Sequence, residues 1–219
     1  MEKTGIPSLE AIDLHCARGE RRLFSALNFT LRGGELLRIG GPNGSGKTSL
    51  LRIACALLEP TRGEVRWAGE NIRRLQEEFW RQIVYIGHAS AIKDDLTSAE
   101  NLRVACTLAG IRVQPARIGE ALRELGLGGC ENLPTRVLSQ GQRRRVALAR
   151  LAVETMPSLW ILDEPFDALD VDGVARLNAL LKEHVGRGGS VMLTSHLVLD
   201  TALLKPIEVD LDRYADSRG

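Results

Sequence analysis

The chain has 219 residues, of which 44% are apolar and 26% are charged, and its 29 lysines and arginines nearly cancel 28 acidic residues to give a net charge of +1. This composition excludes a disordered or collagen-like protein, and the length allows one large domain or two closely associated lobes around a core that needs no disulfides. The near-neutral charge disfavours a chain-wide attraction to nucleic acid or anionic lipid.

The sequence carries no recognisable targeting segment or metal motif. No apolar run reaches the roughly 18 to 20 uncharged residues that a membrane-spanning helix needs. Charged residues interrupt positions 1–14, where a signal peptide needs a continuous apolar stretch. The four cysteines and four histidines are scattered without a C-x-x-C pair, which favours reduced thiols and disfavours a zinc site. We therefore expect the protein to stay in the cytoplasm.

The first clear element is a predicted strand at 35–39, followed by a glycine-rich loop and a predicted helix at 49–58. The helix has apolar residues at the i, i+3, i+4, i+7 spacing of a buried face. The loop matches G-x-x-x-x-G-K-[ST] in full, between the strand and the helix that this phosphate-binding motif requires. Its residues, with the serine that follows, are Gly41, Pro42, Asn43, Gly44, Ser45, Gly46, Lys47, Thr48 and Ser49.

The chemistry of this loop predicts nucleotide binding. Glycines let successive backbone N–H groups and the helix N-terminus face the negative charge of phosphates. Lys47 adds a positive charge at the β- and γ-phosphates, and the Thr48 hydroxyl can ligate Mg²⁺. The alternative, a glycine-rich turn before a core helix, is disfavoured because the strand and the helix are both in place.

The pattern changes after a second predicted strand at 82–86, which His88 follows. Between 91 and 156 strand patterns disappear and helical patterns replace them. The predicted helices of this segment are 98–108, 115–125 and 142–154. We interpret 91–156 as a helical lobe inserted into an α/β lobe made of 1–90 and 157–219, all within one domain.

A third predicted strand at 159–162 ends in two adjacent acids, Asp163 and Glu164. Downstream of a phosphate loop, this pattern predicts that Asp163 holds Mg²⁺. Side chains alternate along an extended chain, so Glu164 points in another direction and is our candidate for the general base that polarises the attacking water. By itself, an acidic pair after a strand is more often a solvated turn.

The last predicted elements are a helix at 174–185, capped by Asp170 or Asp172, and a strand at 190–194 that precedes His196. Short strands that alternate with helices predict an α/β protein with a largely parallel sheet. The polar residues that follow its strands are expected at one site, because ligands bind beyond the carboxyl ends of the strands in such sheets.

The segment L-S-Q-G-Q at 138–142 resembles the signature motif of ABC-type ATPases. Alone it would indicate an N-capped surface helix, but the other motifs follow in the family's order. The segment 166–170 is similar to the D-loop, and His196 occupies the switch-histidine position. The resemblance extends over 9–196 and implies a P-loop NTPase core with an inserted helical subdomain.

In that family two subunits sandwich two ATP molecules with Mg²⁺, so the resemblance implies a homodimer. Each signature motif contacts the nucleotide held by the other subunit. The residues implied to bind ATP outside the phosphate loop are His88, Ser139, Gly141 and Gln142. The implied catalytic residues are Lys47, Glu164 and His196, with Thr48 and Asp163 at the metal.

Three positions depart from the family pattern. His88 replaces a glutamine, and a histidine contact would be pH-sensitive. The family usually has an aromatic residue that stacks on adenine upstream of the phosphate loop, and this chain has none near Arg18. We hypothesise that the Arg18 guanidinium stacks on the base instead. Gln140 replaces a glycine, a change expected to be tolerated on an exposed first turn.

Several segments are similar to one group, the ATP-binding subunits of the bacterial cytochrome c maturation haem exporter, the CcmA family. The most specific are Ile86-Gly87-His88 and the stretch 170–175. The resemblance implies a peripheral protein on the cytoplasmic face of the inner membrane, bound to integral membrane subunits. It would couple ATP hydrolysis to haem export or to the release of a haem-loaded chaperone. A helix of the membrane partner would dock near 88–96.

Other hypotheses share much of this pattern. An ABC ATPase for another cargo would keep every nucleotide-site residue, and a degenerate subunit is disfavoured because those residues are intact. Basic residues on the signature helix could suggest a nucleic-acid partner. They are Arg143, Arg144, Arg145 and Arg150. A basic signature helix is common in the family, so we expect no nucleic-acid partner.

Overall fold

The computed structural model describes residues 7–153, 159–195 and 205–215. Contacts group the chain into two units. As far as their residues are described, the first unit is Met1–Tyr85, Pro157–Asp163 and His184–Gly219, and the second is Ile86–Met156 and Glu164–Glu183. The lobe boundaries and the single domain inferred from the sequence stay a prediction.

The strands within the described residues form two sheets. In chain order they are β1 (Leu9–Arg18), β2 (Arg21–Leu31), β3 (Leu36–Gly40), β4 (Arg62–Trp67), β5 (Glu70–Asn71), β6 (Ile83–Ile86), β7 (Leu159–Leu162), β8 (Ser190–Thr194) and β9 (Ile207–Asp210). One sheet has the order β6-β7-β8-β3-β9, and its β7–β8, β8–β3 and β3–β9 pairs are parallel. This sheet confirms the predicted α/β class and the four predicted strands to within one residue.

The second sheet was not predicted. It is antiparallel in its three pairs, with the order β2-β1-β4-β5. Asp13 in β1 and Ala26 in β2 have left-handed backbones, with φ of 47° and 52°, and the β1–β2 register shifts three times. Such irregularities break the alternation of apolar and polar residues by which a strand is recognised.

The helices agree with the predictions to different degrees. In chain order they are α1 (Lys47–Ala54), α2 (Ile72–Leu75), α3 (Glu77–Trp80), α4 (Ser98–Leu108), α5 (Pro115–Glu124), α6 (Gln140–Val153) and α7 (Val171–Gly186). The predicted bounds of α4 are confirmed. The predicted end of α1 at 58 is wrong, because Ala56 adopts a left-handed φ of 59° just after the helix.

No helix in the described ranges is both long and apolar enough to cross a membrane.

Gly63, at the start of β4, is required by a close approach of backbone. Its φ is +87°, and a Cβ there would lie 2.2 Å from the carbonyl oxygen of Asp13. We expect Gly63→Ala to lower the free energy of unfolding by about 3 kcal/mol, since a left-handed residue with a Cβ costs roughly 1–2 kcal/mol and overpacking adds roughly 1–3 kcal/mol.

The matched control for this substitution is Gly69→Ala. Gly69 has a φ of +86° but open space around its Cβ position. It therefore carries only the conformational cost, and we expect a loss of about 1–2 kcal/mol. Urea unfolding of both variants measures the two losses. Equal losses would contradict a steric role for the Asp13 carbonyl.

Candidate functional site

The loop between β3 and α1 depends on glycines in left-handed conformations. The φ angles of Gly41, Gly44 and Gly46 are 130°, 80° and 103°. A Cβ at Gly41 would lie 2.8 Å from the Ser45 Oγ, and one at Gly46 would lie 3.0 Å from the Cβ of Leu23. Only glycine therefore fits these two positions without displacement, and the chain turns tightly before α1 begins.

This loop presents hydrogen-bond donors suited to an anion. Ser45 is buried, and its Oγ has no hydrogen-bond partner within the described part of the chain. The Lys47 Nζ donates to the carbonyls of Gly41 at 2.9 Å and Pro42 at 3.4 Å, so the ammonium group lies beside the loop. The N-terminus of α1 adds its unpaired N–H groups and the positive end of the helix dipole. The site fits a phosphate group.

A cavity of about 450 Å³ lies beside this loop. Its lining residues are Glu20, Arg21, Arg22, Leu23, Pro42, Asn43, Gly44, Ser45, Asp212 and Ala215. Arg18, the hypothetical adenine contact, is exposed at the end of β1 and does not line this cavity. Arg21 and Arg22 do line it, because β2 begins immediately after the β1–β2 turn. The unpredicted hairpin explains why the sequence did not single out these two arginines.

Thr48 and Asp163, which are far apart in the sequence, meet in the first unit. The Thr48 Oγ1 donates to the Asp163 Oδ2 at 2.9 Å, and the Thr194 Oγ1 donates to the Asp163 Oδ1 at 2.9 Å. Asp163 directly follows the buried strand β7 and is 2% exposed. A carboxylate and a hydroxyl are oxygen ligands of the kind that Mg²⁺ prefers, so this pair fits the metal.

The second unit contains Glu164, whose backbone is left-handed with a φ of 45°. Glu164 is buried, and its carbonyl accepts a hydrogen bond from Arg144. His88 is 69% exposed by side chain, and its Nδ1 lies 3.8 Å from the Asp167 Oδ2. The unit thus brings His88 close to an acid of the segment that resembles the D-loop. His196, the predicted switch residue, lies outside the described residues.

The signature residues form a reciprocal cap at the start of α6. The backbone N–H of Gln142 donates to the Ser139 Oγ at 3.2 Å, and the Ser139 N–H donates to the Gln142 Oε1 at 2.9 Å. This is the capping-box arrangement. A Cβ at Gly141 would lie 2.5 Å from the Ala168 carbonyl oxygen, so this position also requires glycine.

The basic residues of α6 are engaged within the second unit. Arg143 pairs with Asp94, and the Arg145 Nη2 lies 3.6 Å from the Asp170 Oδ2. Arg144 is buried and donates to backbone carbonyls. These three arginines therefore have partners within their own unit, and the expectation of no nucleic-acid partner stays a prediction.

Comparison with known proteins identifies the family. A family model described as "ABC transporter" matches residues 24–167. The cytochrome c biogenesis ATP-binding export protein CcmA of Nitrosomonas europaea is 52% identical over 198 residues, which cover 90% of this chain and 92% of that protein. The protein of the same name from Nitrosospira multiformis is 49% identical over 197 residues, covering 90% of this chain and 95% of that protein.

Solved structures agree with this assignment. A putative ABC transporter ATP-binding protein from Pyrococcus furiosus has the same fold, with a TM-score of 0.80, 24% identity, and coverage of 95% of this chain and 100% of that chain. An ATP-binding subunit of an ABC transporter gives a TM-score of 0.78 at 26% identity, with coverage of 95% and 83%. The chain belongs to the ABC transporter family of ATP-binding proteins and, within that family, to the CcmA group.

Proposed function

We propose that this ABC ATPase is the peripheral ATP-hydrolysing subunit of a cytochrome c maturation complex on the cytoplasmic face of the bacterial inner membrane. It would couple hydrolysis to haem export or to the release of a haem-loaded chaperone. Sequence identity carries the proposal. The chain is 49% and 52% identical to two export proteins named for cytochrome c biogenesis, and each match covers at least 90% of either chain.

ATP binding follows from the loop chemistry. The N–H groups at the start of α1 and the Ser45 hydroxyl would donate to phosphate oxygens. Lys47 would exchange its two carbonyl contacts for the β- and γ-phosphates. Thr48 and Asp163 would hold Mg²⁺, which when bound neutralises charge on the phosphate oxygens.

Hydrolysis requires a proton acceptor, and we assign that role to Glu164. Its carboxylate would take a proton from the attacking water while the water oxygen bonds to the γ-phosphorus and the bond to the β–γ bridging oxygen breaks. ADP then leaves with that oxygen. We expect His196 and Lys47 to stabilise charge on the transferred group.

A homodimer would complete each site. The signature residues Ser139, Gly141 and Gln142 would face the nucleotide bound by a second copy, which the N-terminus of α6 favours through its dipole. His88 would contact the nucleotide bound by its own chain, because it takes the place of the glutamine that in the family bridges Mg²⁺ and the membrane subunit. We expect the second copy to cover Val171, which is 86% exposed at the start of α7.

Three large apolar residues of the first unit are exposed, Leu57, Leu58 and Trp80, and we refer to them as the docking patch. These residues are 57%, 39% and 47% exposed, and the Trp80 indole N–H donates to the Cys55 carbonyl at 3.0 Å. That bond holds the ring close to the segment after α1. We assign this patch of the first unit to contact with an integral membrane subunit, and the segment 88–96 of the second unit stays a separate docking prediction.

The test is co-purification. A tagged Glu164→Gln variant is extracted from host membranes in mild detergent with ATP, and the proteins that accompany it are identified. We expect the haem-handling membrane subunits. Another permease would overturn the proposed cargo, and the absence of any membrane protein would overturn the transport assignment.

The docking patch is tested in the same experiment with Leu57→Ser/Trp80→Ala. We expect this variant to lose the membrane subunits while its affinity for ATP stays unchanged. Leu108→Ser, which alters a leucine that is 84% exposed in the second unit, is the control and should keep them. Retention of the subunits by the patch variant would exclude this docking surface.

A further inference from the structure

Arg144 is a buried cation that the mechanism above does not use. It lies in α6, two residues after Gln142, and is 5% exposed. A buried guanidinium is costly unless its N–H groups are hydrogen-bonded. The burial of this charged side chain therefore has to be explained by its hydrogen bonds.

Three hydrogen bonds of Arg144 go to backbone carbonyls of two separate segments. Its Nη1 donates to the Gly87 carbonyl at 2.9 Å and to the His88 carbonyl at 3.4 Å. Its Nη2 donates to the Glu164 carbonyl at 2.9 Å. The planar, five-donor guanidinium can bridge acceptors in this way, whereas an ammonium acts as a point charge.

One of these acceptors belongs to a strained residue. Glu164 has a φ of 45°, a conformation that costs a residue with a side chain roughly 1–2 kcal/mol. The bond from Arg144 fixes the orientation of the peptide group that follows Glu164. The direction of the Glu164 side chain depends on that backbone conformation.

We propose that Arg144 is a positioning residue for hydrolysis. It holds the Glu164 backbone in the left-handed conformation and ties it to the loop that carries His88. The inference rests on the proposed role of Glu164 as general base. A displacement of His88, which begins the segment 88–96 where we place the membrane partner, would be transmitted through one guanidinium to the backbone of the base.

Arg144→Met tests this role, because methionine keeps apolar packing and removes every donor. We expect the affinity for ATP, measured by calorimetry, to stay within about 2-fold, since the phosphate loop is unchanged. We expect kcat to fall at least 10-fold. A kcat at saturating ATP equal to that of the unchanged chain would overturn the proposal, whether or not the affinity for ATP falls.

Arg144→Lys separates positioning from the need for a buried charge. Lysine keeps the charge but cannot reproduce the fork that reaches both segments. We expect a folded protein, by urea unfolding, whose kcat is reduced at least 3-fold. Full kcat in this variant would overturn the bridging role. Arg123→Met changes an exposed arginine of α5 and should keep both kcat and stability.

The double variant Arg144→Met/Glu164→Gln distinguishes this inference from the assignment of the base. If Arg144 acts through Glu164, the double variant hydrolyses ATP in a single turnover as slowly as Glu164→Gln alone. A further 10-fold loss would mean that Arg144 acts elsewhere. If Glu164→Gln alone keeps full activity, the base assignment is wrong, whatever Arg144→Met does.

Discussion

Glu164→Gln is expected to bind ATP as tightly as the unchanged chain and to hydrolyse it at least about 100-fold more slowly, since general base catalysis contributes roughly 10² to 10⁴ in rate. Glutamine has the shape of glutamate but cannot take a proton from water. Because Glu164 is buried, bulk water does not easily replace it as acceptor. Calorimetry measures the binding, and phosphate release measures the turnover.

The same variant should accumulate as a dimer when ATP is added, because the bound nucleotide is not consumed. Size-exclusion chromatography with and without ATP measures this shift. Glu77→Gln, which removes an acid that is 80% exposed on α3, is the control and should behave like the unchanged chain. Undiminished hydrolysis by Glu164→Gln would rule out its role as base.

Lys47→Ala is expected to weaken ATP binding by about 10- to 100-fold and to abolish hydrolysis. A hydrogen bond to a charged group contributes about 1.5–3 kcal/mol, and each 1.4 kcal/mol corresponds to a factor of about ten in affinity. The Lys47 Nζ already lies beside the loop, bonded to the Gly41 carbonyl, so its charge is held where the phosphates would bind.

Lys182→Ala is the control for this substitution, since it removes an exposed lysine of α7. Calorimetry should give this variant the affinity of the unchanged chain. An unchanged affinity in Lys47→Ala would refute the role of Lys47 in binding. If Lys47→Ala loses ATP binding while Glu164→Gln loses only turnover, Lys47 acts in binding and Glu164 acts in hydrolysis.

The parallel sheet and the phosphate loop could be predicted because their signals are local. The buried strand β7 is a short apolar run that ends at two acids, and the G-x-x-x-x-G-K-[ST] pattern places a loop between β3 and α1. The helix nevertheless begins at Lys47, two residues before the predicted start. The bounds of α4 were accurate for a similar reason. Thr97 and Glu100 form a capping box there, which defines the first residue of the helix.

Other features depend on tertiary contacts that no local pattern reports. The irregular strands β1 and β2 and the cavity arginines beside them are examples. Arg144 is another, because in the sequence it is one of several arginines on a basic helix. Only the fold shows that its guanidinium is buried against the carbonyls of Gly87 and Glu164. The sequence shows that α6 is rich in arginine, but only the three-dimensional structure shows which arginine is buried and donates hydrogen bonds to the backbone.

The position of β3 in its sheet has a consequence for protein synthesis. Both of its neighbours are made late, since Leu36 pairs with Val191 in β8 and Leu37 with Ile207 in β9. At roughly 5–20 residues per second, the ribosome needs on the order of ten seconds after β3 to reach them. A nascent chain therefore holds its phosphate loop on an unpaired strand, and we expect it to gain affinity for ATP only after β8 has emerged.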